Sequence, residues 1–111
     1  KMAKAAEILH KDDPNLIVDG EIQANFALNN ELMNENFSFS TLANKKVNTL
    51  IFPNLSAGNI AYKLLQEVND LDSIGPVLIG LNKSVHVLQM GSSVREIVNM
   101  VKVAVVDAQN K

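Results

Sequence analysis

The chain has 111 residues, 47% hydrophobic and 20% charged, a composition that fits one small globular domain or a part of one rather than a disordered or fibrous segment. A formal charge of -2 with Lys and Glu interspersed gives no electrostatic footprint for nucleic acid or an anionic membrane, and no run approaches the roughly 20 apolar residues of a membrane span. The absence of Cys excludes a disulfide framework, a thiolate nucleophile and a thiolate metal site, and agrees with a reducing cytoplasm.

The opening Lys1-Met2-Ala3-Lys4 lacks the apolar core of a signal peptide and enters a helical pattern at once, as expected of a piece cut from a longer protein. Ala5, Ala6, Ile8 and Leu9 predict a helix from Met2 to Lys11, stopped by Asp12-Asp13-Pro14. Leu16-Ile17-Val18 reads as a short strand ending in a turn at Asp19-Gly20, Glu31 to Asn36 as a short helix, and Phe37-Ser38-Phe39-Ser40 as a covered loop. Thr49-Leu50-Ile51-Phe52 is a β-rich run broken by Pro53. Ser56 is then placed as the cap of a helix with Ile60, Leu64, Leu65 and Val68 on one side.

Asp72-Ser73 leads into Ile74-Gly75-Pro76-Val77-Leu78-Ile79-Gly80-Leu81, whose β-branched residues and glycines favour a buried strand with Pro76 near its start. Val85 to Gln89 reads either as a short strand or as an extended approach to the next element. Ser93-Val94-Arg95-Glu96 matches a capping box opening a helix to about Gln109. In that helix Val94, Ile97, Val98, Val101, Ala104, Val105 and Ala108 form a core stripe, while Val103 and Val106 add apolar surface. The excess implies a central core helix or a subunit interface. Strands alternating with helices predict an α/β fold with parallel pairs.

Few residues carry a chemical signal by type and spacing. The loop from Phe52 to Asn59 joins a predicted strand end to a helix start, where backbone amides and the helix dipole can hold a phosphate or carboxylate. Ser56 and Gly58 could equally serve only the cap and the approach of helix to strand. Asp19 and Glu21 lie at a predicted strand end, where active-site acids and solvated turns both occur. His10 and His86 are the only imidazoles, with no metal-type pairing and no nucleophile motif, so His86 reads as a packed, hydrogen-bonded histidine. Glu96 is a capping acid or a carboxylate pointing into a cleft from the helix start.

Three stretches then match a known family in order: Val18-Asp19-Gly20-Glu21-Ile22-Gln23, the run from Leu50 through Phe52-Pro53-Asn54-Leu55-Ser56-Ala57-Gly58-Asn59 to Lys63, and Ile74-Gly75-Pro76 through Lys83. With the last helix they resemble the phosphate acetyl/butyryl transferase family over nearly the whole chain. The resemblance implies the C-terminal part of a phosphotransacetylase-like (isocitrate dehydrogenase-like) fold. That fold is a parallel-sheet α/β/α sandwich of two subdomains with a cleft for coenzyme A thioesters. By the same resemblance, Asn54, Ser56, Gly58 and Asn59 with Gln89, Met90, Ser92 and Glu96 line what this chain retains of that cleft.

Active members are expected to carry a Ser-Arg pair before the glycine preceding the last helix and an Asp in that helix's first turn. Here those positions read Gln89, Met90 and Glu96, and Asn25 stands where the family commonly has Asp. A thioether cannot replace the fixed charge of a guanidinium, so no catalytic residue is assigned and no metal site is expected. The segments Val85-His86-Val87-Leu88-Gln89 and Ala104-Val105-Val106-Asp107-Ala108-Gln109 resemble the version fused behind NADP-dependent hybrid malic enzymes. That likeness implies a parent using NADP and Mg or Mn, with this piece serving in homo-oligomer assembly through the helix from Val94 to Gln109 and in acetyl-CoA regulation.

Overall fold

The computed structural model describes residues 1–69 and 73–111; the expected lead-in at Asp72 lies outside the described residues. The chain divides into two compact units, Lys1–Ala61 and Tyr62–Lys111.

In the first unit α1 (Met2–Asp12) forms where expected and stops at Asp13, whose amide bonds to the Leu9 carbonyl at 2.8 Å before Pro14 denies the next turn a donor. Two short helices follow, α2 (Ala24–Leu28) and α3 (Asn30–Asn36). Asn29 separates them and caps α3 by accepting from the Leu32 amide at 3.1 Å. The helix α2 is not anticipated by the sequence pattern, having five residues and no side-chain cap. The unit's buried residues are Ala6, Ala27, Met33 and Ser40, and Phe26 and Phe37 meet edge to face at 5.1 Å. The expected cover over Phe37–Ser40 holds only for Phe37, half-buried, and Ser40, because Phe39 is 83% exposed.

Among the described residues no strand is formed. Leu16–Val18, Thr49–Phe52, Ile74–Leu81 and Val85–Gln89 run without helix or ladder. The physical reason is that a strand exists only through its partner: β-rich composition selects extended backbone, but ladder hydrogen bonds need a neighbour in register. The parallel sheet expected of an α/β/α sandwich is therefore not built by these residues alone.

The helices α4 (Leu55–Asn69) and α5 (Val94–Gln109) form as expected, with two corrections. The cap of α4 is Asn54 and not Ser56. Asn54 Oδ1 accepts from the Ala57 amide at 2.9 Å, its carbonyl accepts from Gly58 at 3.2 Å, and Ser56 lies inside the first turn. In α5 the face that is covered differs from the predicted stripe. Met100 is 4% exposed and Glu96, Asn99, Val103, Ala104 and Asp107 around it are half-buried, whereas Val94, Ile97, Val98, Val101 and Val105 are exposed. Ile60, Leu64, Leu65 and Val68 of α4 are exposed too. Both helices are apolar on more sides than units of this size can cover, so the periodic stripe marks what seeks burial rather than what this chain buries.

Candidate functional site

The expected site residues fall in both units. Asn54, Ser56, Gly58 and Asn59 belong to the first, at the opening of α4. The side chain of Asn54 is spent on the cap, and Gly58 lies over Phe52, where an added Cβ would sit 3.7 Å from the ring, ordinary contact. Close approach therefore does not demand a glycine at 58. Asp19 is not a solvated turn acid: Ser40 donates to its Oδ2 at 2.6 Å and the Gly20 amide to its Oδ1 at 2.8 Å. His10 Nε2 and the Thr41 hydroxyl fix the neighbouring Val18 carbonyl at 2.8 and 2.9 Å, so this corner is structural.

Gln89, Met90, Ser92 and Glu96 are brought together in the second unit around an open pocket of about 290 Å³. Its corner is a turn: the Ser92 amide and hydroxyl both donate to the Gln89 carbonyl, at 3.2 and 2.8 Å, and Gly91 sits at φ 88°. Glycine is required there by backbone alone, since nothing lies within 4 Å of an added Cβ. Ser93 and Glu96 complete the capping box. The Ser93 amide and hydroxyl donate to Glu96 Oε2 at 2.7 and 2.9 Å, and the Glu96 amide donates back to Ser93 Oγ at 3.2 Å. The Ser93 amide, then its hydroxyl and the nearby Lys63 charge, hold the Glu96 carboxyl below its ordinary value. Glu96 is thus committed to the cap while its helix start still edges the pocket, and the two readings of this residue are compatible.

The opposite wall carries no signal in the sequence. Lys63 donates to Gln89 Oε1 across 26 positions of sequence and stands 5.2 Å from the Tyr62 ring centroid. Behind it Tyr62, Gln66 and Ser73 bond one another, with the tyrosine hydroxyl 3.1 Å from Ser73 Oγ. Lys63 closes one of the matched stretches, but only the contact with Gln89 reveals its place. Met90 is fully exposed at the pocket rim, so the position where a guanidinium is expected presents a thioether to solvent.

A second polar cluster lies toward the C-terminal end of α5. His86, with a side chain 3% exposed, places Nε2 3.2 Å from Ser84 Oγ and 3.5 Å from Asp107 Oδ2. This is not a nucleophilic triad, because serine and carboxylate meet the same ring nitrogen instead of opposite ones. Lys111 bonds Asp107 at 3.0 Å and, first among several causes, holds its carboxyl below the ordinary value. Among the described residues no three His, Asp or Glu side chains group so as to hold a metal, and no helix is long and apolar enough to cross a membrane.

Known proteins share this stretch of sequence. The chain is 40% identical over 111 residues to the NADP-dependent malic enzyme of Haemophilus influenzae and 41% over 112 to that of Escherichia coli, covering 100% of this chain and 15% of each of those proteins. It is 38% identical over 109 residues to the phosphate acetyltransferase of Acetivibrio thermocellus, covering 98% of this chain and 32% of that enzyme. The chain thus spans about a seventh to a third of these relatives. The family model for phosphate acetyl/butaryl transferase matches residues 1–105, and the chain belongs to that family.

Proposed function

We propose that the chain is a non-catalytic regulatory and assembly module of an NADP-dependent malic enzyme, and that its second-unit pocket is a remnant acyl-CoA site that binds acetyl-CoA without turning it over. The observation that carries this reading is the state of the corner. Gln89 is engaged by Lys63, Met90 projects into solvent, and Glu96 is held in its capping box. Without a guanidinium at Met90 nothing fixed at that position neutralises a transferring phosphate or polarises a thioester carbonyl. The Lys63 ammonium, which lines the pocket, still suits an anionic ligand that displaces Gln89 from it. By the family resemblance Asn54, Ser56, Gly58 and Asn59 at the start of α4 are also proposed as ligand contacts, and the β-rich runs would gain their sheet partners from other parts of the longer protein.

The parent reaction would be oxidative decarboxylation of malate to pyruvate in the cytoplasm, with NADP and Mg or Mn held by other parts of the parent. Acetyl-CoA would regulate by preferring one quaternary arrangement, a coupling of roughly 1–3 kcal/mol in typical systems. The exposed stripe of α5 is the proposed contact between subunits.

Calorimetric titration of the full-length protein with acetyl-CoA, alongside malate oxidation, tests the reading. Saturable binding with inhibition supports it, and absence of both sinks it. Nearly equal similarity to phosphate acetyltransferases favours one alternative, a working acetyltransferase with a divergent site. Turnover of acetyl-CoA and phosphate to acetyl phosphate would establish that alternative.

A further inference from the structure

The two segments of malic-enzyme character, 85–89 and 104–109, are joined in the structure by the contact of His86 with Asp107. His86 meets α5 near its C-terminal end and Ser93 caps its start, so the residues between them return along the length of the helix. Ser93 to Asp107 is fourteen helical steps, about 21 Å at 1.5 Å per residue. The return path is His86 to Gln89, at most about 11 Å fully extended, then the turn from Gln89 to Ser92, under about 7 Å, and one step of about 3.8 Å to Ser93. The segment is short against the helix, and the His86 and Asp107 side chains bridge the rest of the distance, so 86–93 is fixed to α5 at both ends without a ladder.

Both ends are fastened to the same helix. At the start the capping box ties Ser93 to Glu96. At the other end the Ser84 hydroxyl donates to the Ala104 carbonyl at 3.0 Å and also lies 3.2 Å from His86 Nε2 and beside the Asp107 carboxylate. The Asp107 carboxylate 3.5 Å from Nε2 can only accept, so Nε2 is the ring nitrogen that carries the hydrogen toward it. Nδ1 is buried and has no hydrogen-bond partner among the described residues, so no competing bond turns the ring. Lys111 braces Asp107 and also reaches the Lys83 carbonyl at 3.4 Å.

From this geometry we infer that Ser84, His86 and Asp107 form a latch on the strap from 86 to 93, and that His86 is a positioning residue holding Gln89 and Met90 at the pocket. The inference deepens the proposed acyl-CoA site and rests on that reading for its ligand, but the strap itself has a readout needing none. The Ser92 amide, bonded to the Gln89 carbonyl, reports on the turn.

The experiment is hydrogen exchange by mass spectrometry on the full-length protein, with acetyl-CoA affinity measured on the same samples. His86→Leu keeps bulk and loses the donor, His86→Gln keeps a donor near Nε2, and Asp107→Asn alters the partner at a partly exposed position. Exchange across 89–93 should accelerate about tenfold in His86→Leu, the scale of one net hydrogen bond, with the middle of α5 unchanged. His86→Gln should restore it to within about twofold, and Asp107→Asn should shift it in the same direction as His86→Leu. Acetyl-CoA affinity should weaken and recover in parallel. Unchanged exchange at 89–93 in both His86→Leu and Asp107→Asn, or a uniform rise along all of α5, overturns the latch. A local, rescued response in a protein that binds no acetyl-CoA upholds the latch and defeats the proposed ligand.

Discussion

At the scale of single residues, the last-helix start combines a strained glycine with a charged cap. Gly91→Ala forces φ 88° on a residue with a Cβ and should cost about 1 kcal/mol in a denaturant titration, although the added methyl meets nothing. Ser93→Ala removes one partner of the box and should cost a similar amount, about 1 kcal/mol. Glu96 adds a pH dependence whose sign follows from its lowered carboxyl. The folded value lies below the ordinary 4.5, so its stabilisation is fully present above 4.5 and is lost as pH falls through the lower folded value. Thermal melting followed against pH should therefore show a step below 4.5 that shrinks in Glu96→Gln. A step of unchanged size in that variant would assign the loss to other carboxylates, such as Asp107, which is lowered by Lys111.

At the scale of elements, the test case is the cap of α4. Asn54→Ala should lower stability by about 1 kcal/mol and Ser56→Ala by much less, since only the Asn54 side chain holds a first-turn amide. The reverse order in chemical denaturation would restore Ser56 as the cap. That pair also marks what the sequence made legible. Sequence alone places the cap at Ser56 and passes over Asn54, because the exact start of a helix is fixed by backbone geometry that residue type does not show. The box at Ser93 and Glu96 was readable because both halves sit at a fixed spacing within one turn. By contrast, Lys63 against Gln89 and His86 against Asp107 were invisible, since each pair joins positions more than 20 apart and depends on how the chain returns along a helix. The β-rich runs read as strands but form no ladder here, because composition carries backbone preference and says nothing of the neighbour that would supply a ladder.

At the scale of the whole molecule, the exposed stripe of α5 decides between two kinds of burial. Val94, Val98, Val101 and Val105 recur at spacings of four, three and four, the repeat that lets one helix pack along another. Val94 alone is 78% exposed, and four apolar side chains in a row form a contiguous patch of the kind that marks an interface. Cover can come from a second copy of the chain or from other parts of the same polypeptide, and a charge placed mid-stripe separates them. If two copies meet there, Val101→Asp in the full-length protein should convert the oligomer to a smaller species in sedimentation velocity while Met100, on the covered face, keeps the helix folded and the melting cooperative. Because a self-complementary contact places each substitution twice in one interface, dissociation should persist at protein concentrations well above those at which the unaltered protein assembles. If the stripe is instead covered within one polypeptide, the same charge is buried in a core and the variant should lose cooperative melting without first passing through a folded smaller species. In the first case the proposed acetyl-CoA inhibition should be absent from the variant along with assembly, since a ligand that acts by preferring one quaternary state has nothing left to shift.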